Sequence, residues 1–572
     1  MGNIRISNKK RIEKHAPNIM DVVDFLEFIE KFGDKVVFKY FKKKQIMEVT
    51  YKEYTDLVHT LSAGFSTVGL LGKRIAVIGE TSVNWLATYT AIIASGGIAI
   101  PMDKELAPDQ IIGFLDMVDA DAIVYSESFN PKFDEYIGKG SRVYIPIVPA
   151  EGREENEVYK PFERLLEAGA VGVANGYKYP RAKDPKEMAE MLFTSGTTGT
   201  SKCVMLSQLN IYSVVKAAYE TVDFCHEDVI LSVLPVHHTY ELACLQAGML
   251  YGMEICINDT IGHVMRNIAA FKPTGLVLVP LFVSTIYKKI WAEAEKQGRA
   301  DTLRKGIKIS EGLRKVGIDV RRKLFNSVHE KFGGRLVKII CGGAKLNPEY
   351  IEGFEAIGIS IYEGFGITEC SPLAAVTPYY ARKVGSIGTE VTCCRMRIEP
   401  NGQQTEDGHD LGELQVKGTN VMLGYYNNPE ATADVFTDDG WFRTGDIGYK
   451  DEDGYYYITG RSKFVIVLEN GKNVFPEEIE DYLDAIDEIA ECVVLGRKAE
   501  DSDEVKLIAV VYPNAEKFAE NETKENIHAA ITAKVNDLNR TLPSFKQIKG
   551  VELRDTEFEK TTSRKIKRNL VK

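Results

Sequence analysis

The segment FTSGTTGTSK, Phe193 to Lys202, packs glycines, hydroxyl side chains and a lysine into consecutive positions, and these are the residue types that hold a phosphate. Thr194, Ser195, Thr197, Thr198, Thr200 and Ser201 offer hydroxyls. Gly196 and Gly199 let backbone N–H groups approach an anion, and Lys202 brings a mobile positive charge. The spacing is not G-x-x-x-x-G-K-[ST], so the mechanics of a Walker loop do not transfer. A second segment, YEGFGITECSP from Tyr362 to Pro372, sets Gly364 and Gly366 where backbone can come close to a ligand. It adds Phe365 as a flat face for a base, Thr368 as a hydroxyl and Glu369 as a hard oxygen ligand for Mg²⁺. A third, WFRTGDIG from Trp441 to Gly448, holds Asp446 in a glycine-flanked turn, where one carboxylate can take both hydroxyls of a ribose. Taken singly, each segment also fits a plain polar loop, a tight turn around an aromatic, or an Asx-turn.

Such loops need rigid elements behind them. From about Lys73 to Cys341 short apolar runs alternate with helical patterns: RIAVIG, a helix over Val83 to Ala94, IAIP, a helix near Pro108 to Met117, AIVYS, then VILSVLP, MEICI and GLVLVP. That alternation predicts β-α-β units, mostly parallel sheets and a doubly wound α/β fold. The phosphate segment follows a strand-like run, Met188 to Phe193, and precedes a helix-like run, Gln208 to Thr221, the order strand, glycine loop, helix. Between Val384 and Thr459 NG, DG and DDG turns take over and predict an antiparallel, barrel-like unit. After GYYYITGR an α+β pattern restarts: FVIVL, a helix in PEEIEDYLDAI, IAECVVLG, KLIAVVYP, a helix around Lys524 to Leu538, and GVELR. The expected division is a large N-terminal domain over 1–459, a hinge at 460–463 and a small mobile α+β C-terminal domain over 464–572.

The chain has 572 residues, 71 basic and 82 acidic side chains and a net charge of -11, which argues against a general nucleic-acid binder. Nine cysteines with no C-x-x-C pair indicate neither a disulfide framework nor a zinc site, and a reducing cytosol suits them. The stretch MGNIRISNKKRIEK has no apolar core for a signal peptide. The uncharged run between Glu80 and Asp103 holds Asn84, Thr88, Thr90, Gly96-Gly97 and Pro101, and reads as a buried helix and strand rather than a membrane span. A cytoplasmic location follows.

TSGTTGTSK, VLPVHHTYE, YEGFGITE, GELQVKG, WFRTGDIG, GRSKFVIVLENGKNVFPEEIE and KTTSRKIKR occur in this order. Together they closely resemble the motif series of the adenylate-forming superfamily, which includes acyl-CoA synthetases, luciferases and peptide-synthetase adenylation domains. The resemblance runs from about Val49 to Lys572. Within it, the long helical insert between VLVPLF and CGGAKL is most similar to long-chain fatty acyl-CoA synthetases. The resemblance implies that Thr194 to Lys202, with Ser195, Gly196, Thr197, Thr198 and Gly199, hold the β- and γ-phosphates of ATP. It also implies that Glu369 binds Mg²⁺, that Thr368 meets the α-phosphate, and that Phe365 and Gly366 meet adenine beside Gly343 and Ala344. Asp446 and Arg461 would grip the ribose. Lys565 matches the lysine that bridges carboxylate and α-phosphate, Lys463 the hinge position, Gly471 the pantetheine channel and His238 the acyl and thiol pocket. Cys203, Glu559 and Arg564 depart from the usual pattern without removing a functional group.

The implied reaction joins a carboxylic acid, expected to be a fatty acid, to coenzyme A through an acyl adenylate. An acyl-carrier protein as acceptor, an aryl or other acid as substrate, and a nucleotide binder without catalysis are the alternatives. From Lys288 to Lys331, 13 Lys and Arg stand against 6 Asp and Glu, interleaved with Ile290, Trp291, Leu303, Ile307 and Leu313. Such a surface suits peripheral adsorption to anionic lipid, and a solvated helical face has the same composition.

Overall fold

The computed structural model describes residues 14–182, 184–194, 201–468, 473–498, 505–519, 521–560 and 566–571. Two compact units account for them. One comprises 1–396 with 416–442, the other 397–415 with 443–572.

The first unit contains two mainly parallel sheets. The seven-stranded sheet runs in the order Gly424–Tyr425, Lys202–Ser207, Met188–Thr194, Ile98–Met102, Arg74–Ile78, Ala122–Tyr125, Val143–Pro146. Its inner strands are buried on both faces, which explains their near-continuous apolar runs. The nine-stranded sheet runs Thr389–Glu390, Ala375–Val376, Ser360–Phe365, Lys338–Gly342, Gly275–Leu278, Val229–Ser232, Glu254–Ile257, Val36–Lys42, Gln45–Thr50. Helices of the expected bounds cover these sheets. Val83–Ala94 is capped by Ser82, whose hydroxyl accepts from the Trp85 N–H, and it carries no charge on any side because every residue but Asn84 is buried. No helix among the described residues is long and apolar enough to cross a membrane.

The phosphate segment departs from the expected order. Met188–Thr194 is followed by the antiparallel strand Lys202–Ser207, with Thr194 opposite Lys202, and only then by the helix Gln208–Thr221. The run KCVMLS is apolar enough to enter the sheet beside its neighbour. The two strands that flank the segment therefore pair as a hairpin, and the helix Gln208–Thr221 begins only after the second of them.

The insert after Gly275–Leu278 folds as four helices, Pro280–Lys296, Ala300–Lys315, Arg321–Leu324 and Asn326–Lys331, before the chain re-enters the sheet at Lys338–Gly342. It is an enlarged crossover between two adjacent parallel strands.

The second unit holds an antiparallel sheet in the order Cys394–Gln404, Asp410–Gly418, Phe442–Lys450, Tyr456–Arg461. Its α+β part packs Pro476–Leu483 and Lys524–Asn539 with the strands Ile489–Lys498, Val505–Pro513 and Gly550–Leu553 around Ile479, Leu483, Val494, Val511 and Ile531. FVIVL gives only the two-residue strand Ile466–Val467, because Ser462–Phe464 is taken up in a 3-10 turn. Residues 460–463 lie within this unit.

Candidate active site

On the first unit, strand pairing brings three sequence segments together. Gly424–Tyr425 lies antiparallel to Lys202–Ser207, with Tyr425 opposite Val204. This puts the Tyr425 ring under the Lys202 ammonium, 4.6 Å from Nζ to the centroid. The Tyr425 hydroxyl donates to Glu369 Oε1 at 2.9 Å, and the Met422 N–H donates to the Glu369 carbonyl at 2.9 Å. Lys202, Tyr425 and Glu369 thus form a continuous chain from the strand Lys202–Ser207 to the carboxylate. Burial, and next the Glu369 charge, raise the Tyr425 pKa well above its ordinary value, so the phenol keeps its proton and remains a donor. Tyr425 was not singled out in the sequence. Its only signal there is an aromatic beside a glycine in LGYYNN, and its partners lie far away along the chain.

Thr368 and Glu369 stand in the 3-10 turn Thr368–Cys370, directly after the strand Ser360–Phe365. Gly366 is required at the bend, since a Cβ there would lie 1.4 Å from the Pro372 carbonyl oxygen. Phe365 ends its strand 8% exposed. Gly342 and Gly364 are in register on adjacent strands, so the turn at Gly343 and Ala344 emerges beside Phe365. Gly343 has φ +90, a conformation open to glycine, and both turn residues are exposed. The result is an accessible ledge next to an aromatic ring.

A single carboxylate from the protein is a poor chelate by itself, and among the described residues no cluster of three His, Cys, Asp or Glu can hold a metal. Mg²⁺, which binds through one or two carboxylates together with substrate phosphates, fits that donor set.

His238 occupies the N-cap position of the helix Thr239–Tyr251 without a side-chain capping bond, its ring centroid 4.2 Å from that of His237. His237 is buried, and desolvation, then the charges of His238 and Lys104, hold its pKa well below the ordinary value. It is neutral at pH 7, so its 3.7 Å approach to Asp103 is no ion pair. One turn on, the Tyr240 hydroxyl bonds to the carbonyls of Leu278 and Ile340 at 3.2 and 3.1 Å. Tyr240, Cys244 and Phe282 pack with Leu234, Val277 and Val279 in a small apolar group.

On the second unit, Asp446 and Arg461 face each other across paired strands, with Arg461 Nε donating to Asp446 Oδ1 at 2.9 Å. Asp446 is 3% exposed and its N–H donates to Thr444 Oγ1. Lys463 follows in the 3-10 turn, its ammonium 4.6 Å over the Phe464 ring. Partial desolvation and the Arg461 charge lower its pKa. Of the residues named from the sequence, Ser195, Gly196, Thr197, Thr198, Gly199, Gly471 and Lys565 lie outside the described residues. Thr194 and Lys202 flank the first five, and the bridge between Lys560 and Ile566 brackets the last.

The sequence model of the family described as AMP-binding enzyme matches residues 25–426, and that of the AMP-binding enzyme C-terminal domain matches 463–572. A long-chain-fatty-acid–CoA ligase, FadD15 of Mycobacterium bovis, is 29% identical over 469 residues, covering 78% of this chain and 75% of its own. A chloroplastic long-chain-fatty-acid–[acyl-carrier-protein] ligase of Arabidopsis thaliana, AEE15, is 26% identical over 85% of this chain and 75% of its own. The crystal structure of ATP-bound MatB from Rhodopseudomonas palustris superposes with a TM-score of 0.73 at 23% identity, covering 96% of this chain and 98% of that one. It has the same mixed α/β fold.

Proposed function

This chain belongs to the AMP-binding enzymes, and from that premise we propose that it is an AMP-forming fatty acid:CoA ligase acting on long-chain acids. The observation that supports the reading is the Lys202–Tyr425–Glu369 chain, which joins a cation suited to phosphate to a carboxylate suited to Mg²⁺.

A carboxylate attacking the α-phosphorus of ATP drives two anions together, so catalysis must offset charge where it develops. Thr194, the residues Ser195 to Gly199 and Lys202 hold the β- and γ-phosphates, and Thr368 donates to the α-phosphate. Phe365 and the Gly343–Ala344 ledge receive adenine. Asp446, its carboxylate oriented by Arg461, accepts the ribose hydroxyls. Mg²⁺ held by Glu369 would neutralise phosphate charge. Lys565 places its ammonium at the carboxylate and α-phosphate. The carboxylate oxygen forms the new bond to phosphorus as pyrophosphate leaves. The CoA thiol, losing its proton, then attacks the acyl carbon and AMP departs. His238 and the apolar group at Tyr240 and Phe282 line the acyl side, while Lys463 marks the pivot and Gly471 the pantetheine path. The assigned domains, 1–459 and 464–572 about 460–463, belong to the same reading, as does a cytoplasmic location with peripheral contact at the inner membrane face.

Carboxylate-dependent exchange of pyrophosphate into ATP tests the adenylation step. Lys565→Ala is expected to lower exchange by roughly a hundredfold or more, the scale of losing one stabilising charge. Equal exchange in both proteins would remove Lys565 from this role. Thioester yield across acids of increasing length, with CoA against holo-acyl-carrier protein, decides substrate class and acceptor.

A further inference from the structure

We infer that the helical insert is a docking surface for an anionic lipid bilayer, with the bend at Val316–Ile318 as the part that enters the interface. At 100° per residue, Lys305, Lys308, Ile309, Gly312 and Lys315 fall within roughly 120° of one another on the helix Ala300–Lys315. The opposite face carries the buried Gly306 and Ser310. On the outward face Ile309 is 58% exposed, and the chain continues into Val316 at 71% and Ile318 at 51%. Leu324, at 45%, stands beside the exposed Lys323 on the next helix. Aliphatic tips alternate with ammonium groups; Asp301 falls in the same sector but is paired with Arg304 at 2.9 Å, the exposed Glu311 borders it, and among the described residues no carboxylate lies within ion-pair distance of Lys305, Lys308, Lys315 or Lys323.

The fixed part of the insert explains why these groups point outward. Glu355, 4% exposed, takes Arg321 at 2.7 Å, Arg314 at 3.4 Å and Arg382 at 2.8 Å. Arg322 is spent on the Leu336 and Gly334 carbonyls. The arginines therefore clamp both ends of the bend to the body of the unit, while the lysines and aliphatic tips remain in water. The segment 288–331 has a net charge of +7 on a chain of net -11, and with Arg314, Arg321 and Arg322 so engaged, the exposed Lys305, Lys308, Lys315 and Lys323 give the charge complementarity for an anionic partner. An acidic protein would satisfy the lysines, but protruding Val and Ile gain most where a low-dielectric interface lies beneath a charged layer. The ligase reading supplies only the purpose, access to membrane-borne fatty acid.

The test is co-sedimentation of the full chain with phosphatidylcholine vesicles and with phosphatidylcholine–phosphatidylglycerol vesicles, at low and high salt. Binding is expected only to the anionic vesicles and should weaken as salt rises. Lys308→Glu combined with Lys315→Glu should lower it by at least tenfold, given roughly fivefold per basic residue. Val316→Ser combined with Ile318→Ser, at exposed positions, should lower it at constant charge. Thermal unfolding and thioester formation from a short dissolved acid should match the parent protein in both variants. Equal binding to neutral vesicles, or binding untouched by both variants, overturns the inference. So does retention on holo-acyl-carrier protein without vesicle binding, which would give the face to that partner. Absence of thioester formation in the parent protein would sink the ligase reading and leave the vesicle result standing.

Discussion

Tyr425 is the residue on which the candidate site of the first unit turns, because one side chain meets both a cation and a carboxylate. Its ring faces Lys202 and its hydroxyl fixes one Glu369 oxygen. Tyr425→Phe keeps the ring and removes only the hydroxyl. A hydrogen bond to a charged group contributes about 1.5–3 kcal/mol, so thioester formation should fall roughly ten- to a hundredfold, with a higher Mg²⁺ concentration needed for half-maximal rate. Tyr425→Leu should lose more, since Lys202 then lacks its aromatic support as well. A Phe variant with the parent's Mg²⁺ response would show that Glu369 needs no help from the phenol.

At the scale of elements, the strand Met188–Thr194 carries a cost of its own. Glu190 on it is 1% exposed, and burial, partly offset by the Tyr89 hydroxyl, pushes its pKa up to about 8. In the unfolded chain the same carboxyl titrates near its ordinary value of about 4.3. Between those values the unfolded chain gives up a proton that the folded protein keeps. Stability from this group therefore falls as pH rises from about 4.5 to about 8 and is level above that. Glu190→Gln should flatten the slope, leaving Tm little changed near pH 5 and raising it by a few degrees at pH 8, as followed by circular dichroism. A parallel pH profile in the two proteins would place the titration elsewhere.

Elements whose periodicity is local were legible beforehand. Val83–Ala94, Pro108–Met117 and Gln208–Thr221 keep the bounds the sequence suggests, because caps and apolar spacing sit within each segment. The strand Lys202–Ser207 was not, since the apolar run CVML is short and sits between a glycine-rich segment and a helix, so its strand character rests on the neighbour it pairs with. Tyr425 escaped for a related reason. Its pairing with Val204 joins segments that no window on the sequence brings together. Glu369, Thr368 and Lys202 could be named from residue chemistry and motif order, whereas the hydroxyl that links two of them could not.

For the whole molecule, the division of the core predicts how pieces behave. Val474, Ile479, Leu483, Ile489, Val511 and Val535 belong to one buried cluster contained entirely within residues 463–572. Roughly a hundred residues with their own core suffice for independent folding. A 463–572 fragment should unfold in a single cooperative transition, checked by chemical denaturation followed in far-UV and near-UV circular dichroism. A broad, non-cooperative loss of signal would mean that this core depends on the rest of the chain.

The ribbon Val36–Lys42 with Gln45–Thr50 closes one end of the nine-stranded sheet, yet its partner strand is Glu254–Ile257, with Phe38 beside Ile255. During synthesis a ribosome delivers this edge long before its cover, and a row of peptide groups waits open to any other nascent chain. Lys42, Lys43 and Lys44 sit at the bend of that waiting ribbon. Like charges gathered there oppose the edge-to-edge pairing of two such ribbons before the strand that covers them has been made.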